Sequence, residues 1–509
     1  MDPYARVLRR RRVPRVRARS AWCPSRMRLT LSSRASSDIL VPAMRSVQPP
    51  GTAPRGPARM LAVGVAMTAV GGQGVGGAEL TGSLDAISLA RDDSVAITTL
   101  DSGMRVVTER MAEVRSVALG FWVGVGSRDE GPEQSGASHF LEHLLFKGTA
   151  TWGAREIAEA IDGVGGEMNA FTTKEYTVFY LRLLDEHLDL GLDILCDIMQ
   201  HPALRPEDVD AERQVILEEI LMHADEPADM VAERFAAAMF PGHPLGREVA
   251  GTKEIVEHMG SDDIREFFER HYVPASMVFA AAGALEHERI VAGINSRFQG
   301  PWRSSTPTLR SGPLSSPVAV SVLERPTEQA HVVLGMPSCA RVHEDRWALS
   351  ILNHVLGGGM SSRLFQEVRE RRGLAYSVWS DRTAFSDAGT FSVSAGTAPR
   401  NVKELLKVFT AELDRMRDGG ITERELEVAH GKSRAETVMA LEDSGARMSR
   451  LGSSLLLEGE VREVEDILAT LEAVSVDDTS RIAAEYLGLA RTLAVVGPFE
   501  ADAFEDLAG

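Results

Sequence analysis

Cysteine is scarce in this chain of 509 residues, which contains only Cys23, Cys196 and Cys339. Three widely separated cysteines cannot form a disulfide framework or a thiolate-rich metal site, so the composition favours a reducing compartment. The sequence also lacks an uninterrupted apolar run of about 18 residues, which a membrane-spanning helix would need. These two absences exclude a small disulfide-rich secreted domain and argue against a membrane span.

Lysine is absent from the stretch 1–59, and acidic residues there are rare. This segment holds fourteen arginines against Asp2 and Asp38, a net charge of +12, so the stretch 60–509 carries −30 within the total of −18. An acidic body of this kind argues against nucleic acid as a partner and favours basic ligands.

The stretch 1–92 shows no apolar periodicity and contains a proline- and glycine-rich run at 48–57. We therefore interpret residues 1–92 as a disordered extension, or as sequence upstream of the true translation start. The protein is then expected in a bacterial-type cytoplasm. A transit peptide, rich in arginine and serine and poor in acids, is the alternative and would imply the mitochondrial matrix. A secretory signal starting at Met44 is disfavoured, because the glycine run at 71–77 is a poor cleavage region.

Regular patterns begin near Val95 and indicate alternating strands and helices. Apolar alternation at 117–125 and a small-residue run at 277–284 predict strands, whereas helical periodicity covers 154–164, 186–201 and 205–222. Residues 301–317, rich in Ser, Thr and Pro, are the best candidate for a linker.

The pattern before this linker recurs after it. Leu204–Val209 resembles Ile421–Leu426, and Ser261–Tyr272 resembles Val476–Tyr486 at nearly the same offset along the chain. Two matching offsets predict duplication of one α/β unit of about 200 residues. We therefore predict an α/β (α+β) protein with homologous domains at 93–300 and 318–509.

The first unit contains the run His139-Phe-Leu-Glu-His143. Histidines at i and i+4 project from one face of a helix and supply half of a tetrahedral zinc site. Glu142 lies beside them and could take a proton from metal-bound water. The order His-x-x-Glu-His is the inverted zinc-peptidase motif, while the alternative is an amphipathic helix with two surface histidines.

A catalytic zinc needs a third protein ligand, for which Glu212, Glu218 and Glu219 are candidates. Glu212 and Glu219 are two helical turns apart and share a face, whereas Glu218 points about 100° away. Spacing alone leaves Glu212 and Glu219 tied. No Cys or His is placed to close a fourth position, which argues against a structural zinc.

Five stretches carry a resemblance to a known family: the His139–His143 run with Glu219 further along the chain, then Gly126–Glu130, Gly165–Thr172, Gly357–Phe365 and Arg369–Ser377. Together they resemble the pitrilysin/insulinase family of zinc peptidases, in particular the catalytic subunit of the mitochondrial processing peptidase and its bacterial relatives. The resemblance covers about residues 95–500.

This resemblance implies one zinc per chain, held by His139, His143 and Glu219, with Glu142 as the general base. It makes Glu212 a carboxylate that orients the site. The implied fold is a clamshell of two homologous domains that closes on an unfolded peptide.

The resemblance also implies residues that contact the substrate. Asn169 and Ala170 would pair with the substrate backbone along an edge strand. Arg369 and Tyr376, from the second domain, would reach the scissile carbonyl and stabilise its oxyanion. The glycine run Gly357–Gly359 lacks the pattern of a phosphate-binding loop, and we interpret it as a flexible loop that exposes its backbone near the substrate chamber.

The predicted function is therefore a zinc metalloendopeptidase of unfolded or presequence-like peptides, basic ones in particular. A homodimer or a complex with a related partner subunit is compatible with the resemblance. The alternative is a non-catalytic scaffold or regulatory subunit, which the intact ligands and base argue against. We further expect a fragment of about 90–300 to fold around its own core and to bind zinc.

Overall fold

The computed structural model describes residues 94–300 and 310–504, and each of these ranges builds one β-sheet with its own helices. The predicted extension at 1–92 and the first part of the predicted linker, 301–309, lie outside the described residues.

The first sheet has six strands in the spatial order β1-β2-β6-β3-β5-β4. The pairing of β2 with β6 is parallel and every other pairing is antiparallel. The strands are β1 (Val95–Thr99), β2 (Arg105–Arg110), β3 (Ser116–Val123), β4 (Glu167–Thr172), β5 (Thr177–Leu184) and β6 (Met277–Gly283).

The second sheet has five strands in the order β7-β11-β8-β10-β9, again with one parallel pair, β7 with β11. The strands are β7 (Val320–Glu324), β8 (Ala330–Ser338), β9 (Ala375–Ala384), β10 (Gly389–Thr397) and β11 (Thr492–Gly497). Strand for strand, this order repeats β2-β6-β3-β5-β4 of the first sheet. The duplication and the two-sheet α/β fold predicted from the sequence are confirmed.

The helices alternate with these strands, and several begin where the sequence predicts. In the first unit they are α1 (Ala137–Leu145), α2 (Ala154–Gly163), α3 (Leu188–Gln200), α4 (Pro206–Ala224), α5 (Pro227–Met239), α6 (Lys253–Val256), α7 (Ser261–His271) and α8 (His287–Arg297). In the second they are α9 (Arg346–Gly357), α10 (Val402–Gly419), α11 (Glu423–Ala440), α12 (Ser444–Leu457), α13 (Val464–Glu472), α14 (Val476–Tyr486) and a π-helix at Phe365–Arg371. None of the helices in the described ranges combines the length and apolarity needed to cross a bilayer.

One face of each sheet packs on helices of its own unit. Leu119, Phe121 and Phe279 belong to the buried core of the first unit, and Leu334, Phe391 and Val495 to that of the second. Successive strand residues point to opposite faces, so each sheet has a second apolar face that also needs a cover.

The second face of each sheet is covered by a helix of the other unit. On the first sheet, Met448, Leu451 and Leu455 of α12 pack against an apolar patch that includes Trp122 and Val278. The approach is close, because a Cβ placed on Gly452 would lie 2.3 Å from the Trp122 ring.

The exchange is reciprocal, since α5 of the first unit covers the second sheet. Val231 and Phe235 pack against Val333, Ala494 and Val496. The helices α5 and α12 begin at positions 227 and 444, so they too are related by the offset of the duplication.

This exchange argues against the expectation that a fragment of about 90–300 folds independently, which stays a prediction. Without α12, the fragment would expose the apolar face around Trp122, and its own α5 would have no sheet to cover. Large exposed apolar patches are unfavourable in soluble monomers. The two units therefore depend on each other for part of their cores.

Candidate active site

Two helices bring together the histidines and one of the tied carboxylates. His139 and His143 lie on α1, and Glu219 lies on α4, which packs against α1. Glu219 Oε2 is 3.7 Å from His139 Nε2 and 3.4 Å from His143 Nε2. Two donors bound to one tetrahedral zinc at about 2.1 Å lie about 3.4 Å apart, so this donor set fits the ion.

The structure separates the two carboxylates that spacing left tied. Glu212 Oε2 lies 3.2 Å from His143 Nδ1, on the side of the ring away from Glu219. The other oxygen of Glu212 forms an ion pair with Lys147. A carboxylate on Nδ1 fixes the ring and leaves Nε2 for a metal, which is the usual arrangement around a bound histidine. Glu218, which was predicted to point away from the face of Glu212 and Glu219, is exposed.

The ionisation of the group reflects its burial and its carboxylates. Burial, and then the neighbouring His143, lower the pKa of His139 to about 4. Burial also acts to lower the pKa of His143, but its hydrogen bonds to Glu212 and Glu219 outweigh this and raise that pKa to about 9. A metal requires neutral imidazoles, so its binding would release a proton from His143.

Glu142 faces the same space from α1. Its side chain is almost fully buried, and within the described ranges its Oε2 has no hydrogen-bond partner. Burial raises the pKa of Glu142, although a hydrogen bond from Thr172 acts in the opposite direction. A buried carboxylate of raised pKa beside a metal site is suited to accept and return a proton.

Glu130 had no individual role in the sequence interpretation, although it lies within the matching stretch Gly126–Glu130. Its oxygens accept the backbone N–H groups of Gly136 and Ser138, each at 2.8 Å, at the start of α1. A carboxylate here satisfies otherwise unpaired N–H groups and complements the helix dipole. An acidic residue shortly before a predicted helix was the signal available in the sequence.

His223 was also missed, although it lies four residues after Glu219 on the same helix face. Its Nε2 is 3.7 Å from Glu219 Oε1, and its Nδ1 is 3.2 Å from Asp229 Oδ2. The Glu219 carboxylate therefore has histidines on both of its oxygens. The spacing of Glu219 and His223, one helical turn, could have indicated this pair from the sequence.

Asn169 and Ala170 lie on β4, an edge strand of the first sheet that packs beside α1. Asn169 is exposed, and its Oδ1 accepts the N–H of Ala170 at 2.8 Å. The placement suits an edge that a peptide could extend. The substrate-binding role itself stays a prediction.

Arg369 and Tyr376 lie together in the second unit. The guanidinium of Arg369, on the π-helix, stacks over the Tyr376 ring at 4.6 Å, and Tyr376 on edge strand β9 is 80% exposed. In the part of the chain that the structure describes, neither forms a hydrogen bond or ion pair with His139, His143 or Glu219. Their assignment to the oxyanion stays a prediction.

Comparison with known proteins identifies the relatives of both units. The model of the insulinase family, peptidase family M16, matches residues 105–253, and the model of the peptidase M16 inactive domain matches residues 258–430. An uncharacterized zinc protease of Streptomyces coelicolor is 47% identical over 414 residues, covering 80% of this chain and 90% of that protein. An uncharacterized zinc protease of Bacillus subtilis is 37% identical over 400 residues, covering 79% and 97%.

Among solved structures, a protease from Helicobacter pylori has a TM-score of 0.75 at 25% identity and covers 79% of this chain and 99% of its own. The fold and these relatives place the chain in the peptidase class. It belongs to the insulinase family, peptidase family M16, which confirms the resemblance found in the sequence.

Proposed function

We propose that the chain is a zinc-dependent endopeptidase of extended peptides. The observation that carries this proposal is the convergence of two imidazole Nε2 atoms and one carboxylate oxygen, with the buried Glu142 beside them. These ligand atoms lie within 4.8 Å of one another. His139, His143 and Glu219 would hold one zinc ion, with Glu212 orienting His143.

When bound, zinc would polarise the peptide carbonyl and lower the pKa of water at the site. Glu142 takes the proton from the attacking water and passes it to the leaving amine. Its burial supports this role, because burial favours the neutral acid that forms after the first transfer.

Substrate binding is proposed along β4. A peptide added in extended form at this edge would use its backbone groups near Asn169 and Ala170 for pairing, so recognition there depends little on side chains. Arg369 and Tyr376 would supply donors to the oxyanion from the second unit.

The net charge supports a preference for basic peptides, since the stretch 60–509 carries −30. An acidic surface raises the local concentration of cationic ligands, and salt weakens the effect. We expect a higher kcat/KM for a lysine-rich peptide than for its glutamate-rich counterpart of equal length, with the difference shrinking at high salt. Equal values at all salt concentrations would remove this part of the proposal.

A quenched fluorescent peptide library tests the main proposal. The zinc-loaded chain should cleave internal peptide bonds, lose activity after chelation and regain it on addition of zinc. Zinc binding without cleavage of any peptide would instead favour a scaffold or regulatory subunit.

A further inference from the structure

The loop that leads into α1 also reaches the second unit. Arg128, Asp129 and Glu130 are consecutive residues, and each side chain binds a different part of the molecule. The loop itself is held by backbone bonds, because Ser127 and Arg128 donate their N–H groups to the carbonyls of Thr173 and Lys174.

Arg128 spans the two units. Its side chain is almost completely buried, and its Nη1 donates to Glu175 Oε1 of the first unit at 2.7 Å. Its Nη2 donates to Asp387 Oδ2 of the second unit at 2.6 Å. Ser386 Oγ, 3.2 Å from Nη1, lies on the same side as Asp387.

Asp129 binds the segment between the units. Arg310 donates to both of its oxygens, from Nε at 2.9 Å and from Nη2 at 2.7 Å. Glu175 completes the cluster, since it accepts from Ser386 Oγ at 2.7 Å and pairs with Arg341 Nη1 at 2.9 Å. Buried charges with several partners each resist displacement, because separation would leave them unpaired.

Glu130 is the next residue and caps α1 through the N–H groups of Gly136 and Ser138. The helix that it caps carries both histidines and Glu142. Asp387 is therefore linked to the helix that carries the candidate ligands through its hydrogen bond with Arg128, the covalent backbone of residues 128–130 and the hydrogen bonds of Glu130.

We propose that Arg128–Glu130 is a positioning segment through which the second unit fixes the placement of α1. This inference rests on the proposed function and deepens it, since it assigns the second unit a role in catalysis separate from that of Arg369 and Tyr376. The segment positions the helix and does not touch the substrate. Misplacement of a reacting group by 1 Å can lower a rate by about 10²-fold.

The test uses Asp387→Asn in the full-length chain, since this change removes one charge on the second unit with little change in shape. We expect kcat to fall about 10-fold, short of the roughly 10²-fold cost of a 1 Å misplacement. KM and the zinc content should stay near wild type. In the cobalt(II)-substituted protein, the visible absorption bands should shift, because they respond to the geometry of the ligands.

Asp414→Asn is the matched control, since Asp414 pairs with Arg491 at 2.6 Å entirely within the second unit. This control should keep the wild-type kcat and cobalt spectrum. If Asp387→Asn fails to fold, Ser386→Ala, which removes one neutral hydroxyl from the same cluster, replaces it with the same expectations.

A double-mutant cycle tests whether the effect passes through the cap. After Glu130→Gln has loosened the start of α1, adding Asp387→Asn should lower kcat far less than it does alone. Fully additive effects would overturn the proposal. A wild-type kcat and cobalt spectrum for Asp387→Asn would also overturn it. A different result, a wild-type chain that binds zinc but cleaves nothing, would overturn the proposed function. The cobalt spectra test the positioning in either case.

Discussion

The two units contain the same His–Glu pair at matching positions, but among the described residues only the pair of the first unit belongs to a candidate metal group. His139 on α1 lies 3.7 Å from Glu219 on α4, and His354 on α9 lies 3.7 Å from Glu436 on α11. Both members of the second pair lie at the offsets that relate the two units elsewhere in the duplication. In the second unit Lys432 Nζ binds Glu436 Oε1 at 2.7 Å, whereas in the first unit a second imidazole, that of His143, lies 3.4 Å from Glu219 Oε2.

Two further differences are glycines. Counting from each histidine, Gly357 and Gly358 occupy the positions of Glu142 and His143. Gly357 ends α9 against β9, and a Cβ there would lie 2.2 Å from the backbone nitrogen of Ser380. The expectation of a flexible, backbone-exposing loop is therefore wrong at Gly357, which serves close packing. The candidate metal group thus lies in the unit that has a carboxylate and a second imidazole at these positions.

Removing the carboxylate of Glu142 should have the largest effect. The second unit, with Gly357 at this position, already lacks such a group. Glu142→Gln should lower kcat by at least about 10²–10⁴-fold while zinc stays bound, since an amide cannot accept the proton. Cleavage assays with metal analysis check this. A Glu142→Gln chain that cuts near the wild-type rate would show that the base is a different residue.

Glu212 has Ala429 as its counterpart in the second unit, at the same offset that relates Glu219 to Glu436. Glu212→Gln should weaken zinc affinity by about 10–100-fold, because the charge that orients His143 is lost. Competition with a zinc chelator measures the change, and Glu218→Gln on the exposed side is the control. Loss of all zinc from Glu212→Gln would mean that Glu212 is a direct ligand.

A glycine-to-alanine substitution should have opposite effects at Gly452, on the exchanged helix α12, and at Gly431, on α11. Gly452→Ala should lower the free energy of unfolding by about 1–3 kcal/mol, because the new methyl meets Trp122 across the units. Gly431→Ala, with open space around its Cβ position, should raise it by up to about 1 kcal/mol. Denaturant titrations compare the two, and equal effects would contradict the tight packing of α12.

The junction between the units should weaken in acid. Burial acts to raise the pKa of Glu175, but Arg341 and Arg310 outweigh it and lower the pKa below its ordinary value of 4.5. A lowered pKa in the folded state stabilises the protein above about pH 4.5, and this contribution is lost as pH falls further. The free energy of unfolding, measured from pH 7 to pH 3, should fall less steeply with acid for Glu175→Gln than for wild type. Identical pH profiles for wild type and Glu175→Gln would exclude Glu175 as the source of this loss of stability.

The sequence predicted what periodicity and spacing encode. The repeat, helices α2, α3, α4 and α7, and the pair His139 and His143 all follow local patterns. It could not predict which helix covers which sheet, because the apolar stripe on α12 fits any apolar face. Nor could it single out Glu175, a lone acid in a polar loop whose arginine partners Arg310 and Arg341 lie far along the chain.

The central claim is that one unit binds metal and the other, built on the same scaffold, does not. Zinc per chain, measured by mass spectrometry on wild type, Glu219→Gln and Glu436→Gln, tests it directly. We predict one zinc in wild type, much less than one in Glu219→Gln and one in Glu436→Gln. Two zinc ions in wild type, or a loss of zinc in Glu436→Gln equal to that in Glu219→Gln, would contradict the claim.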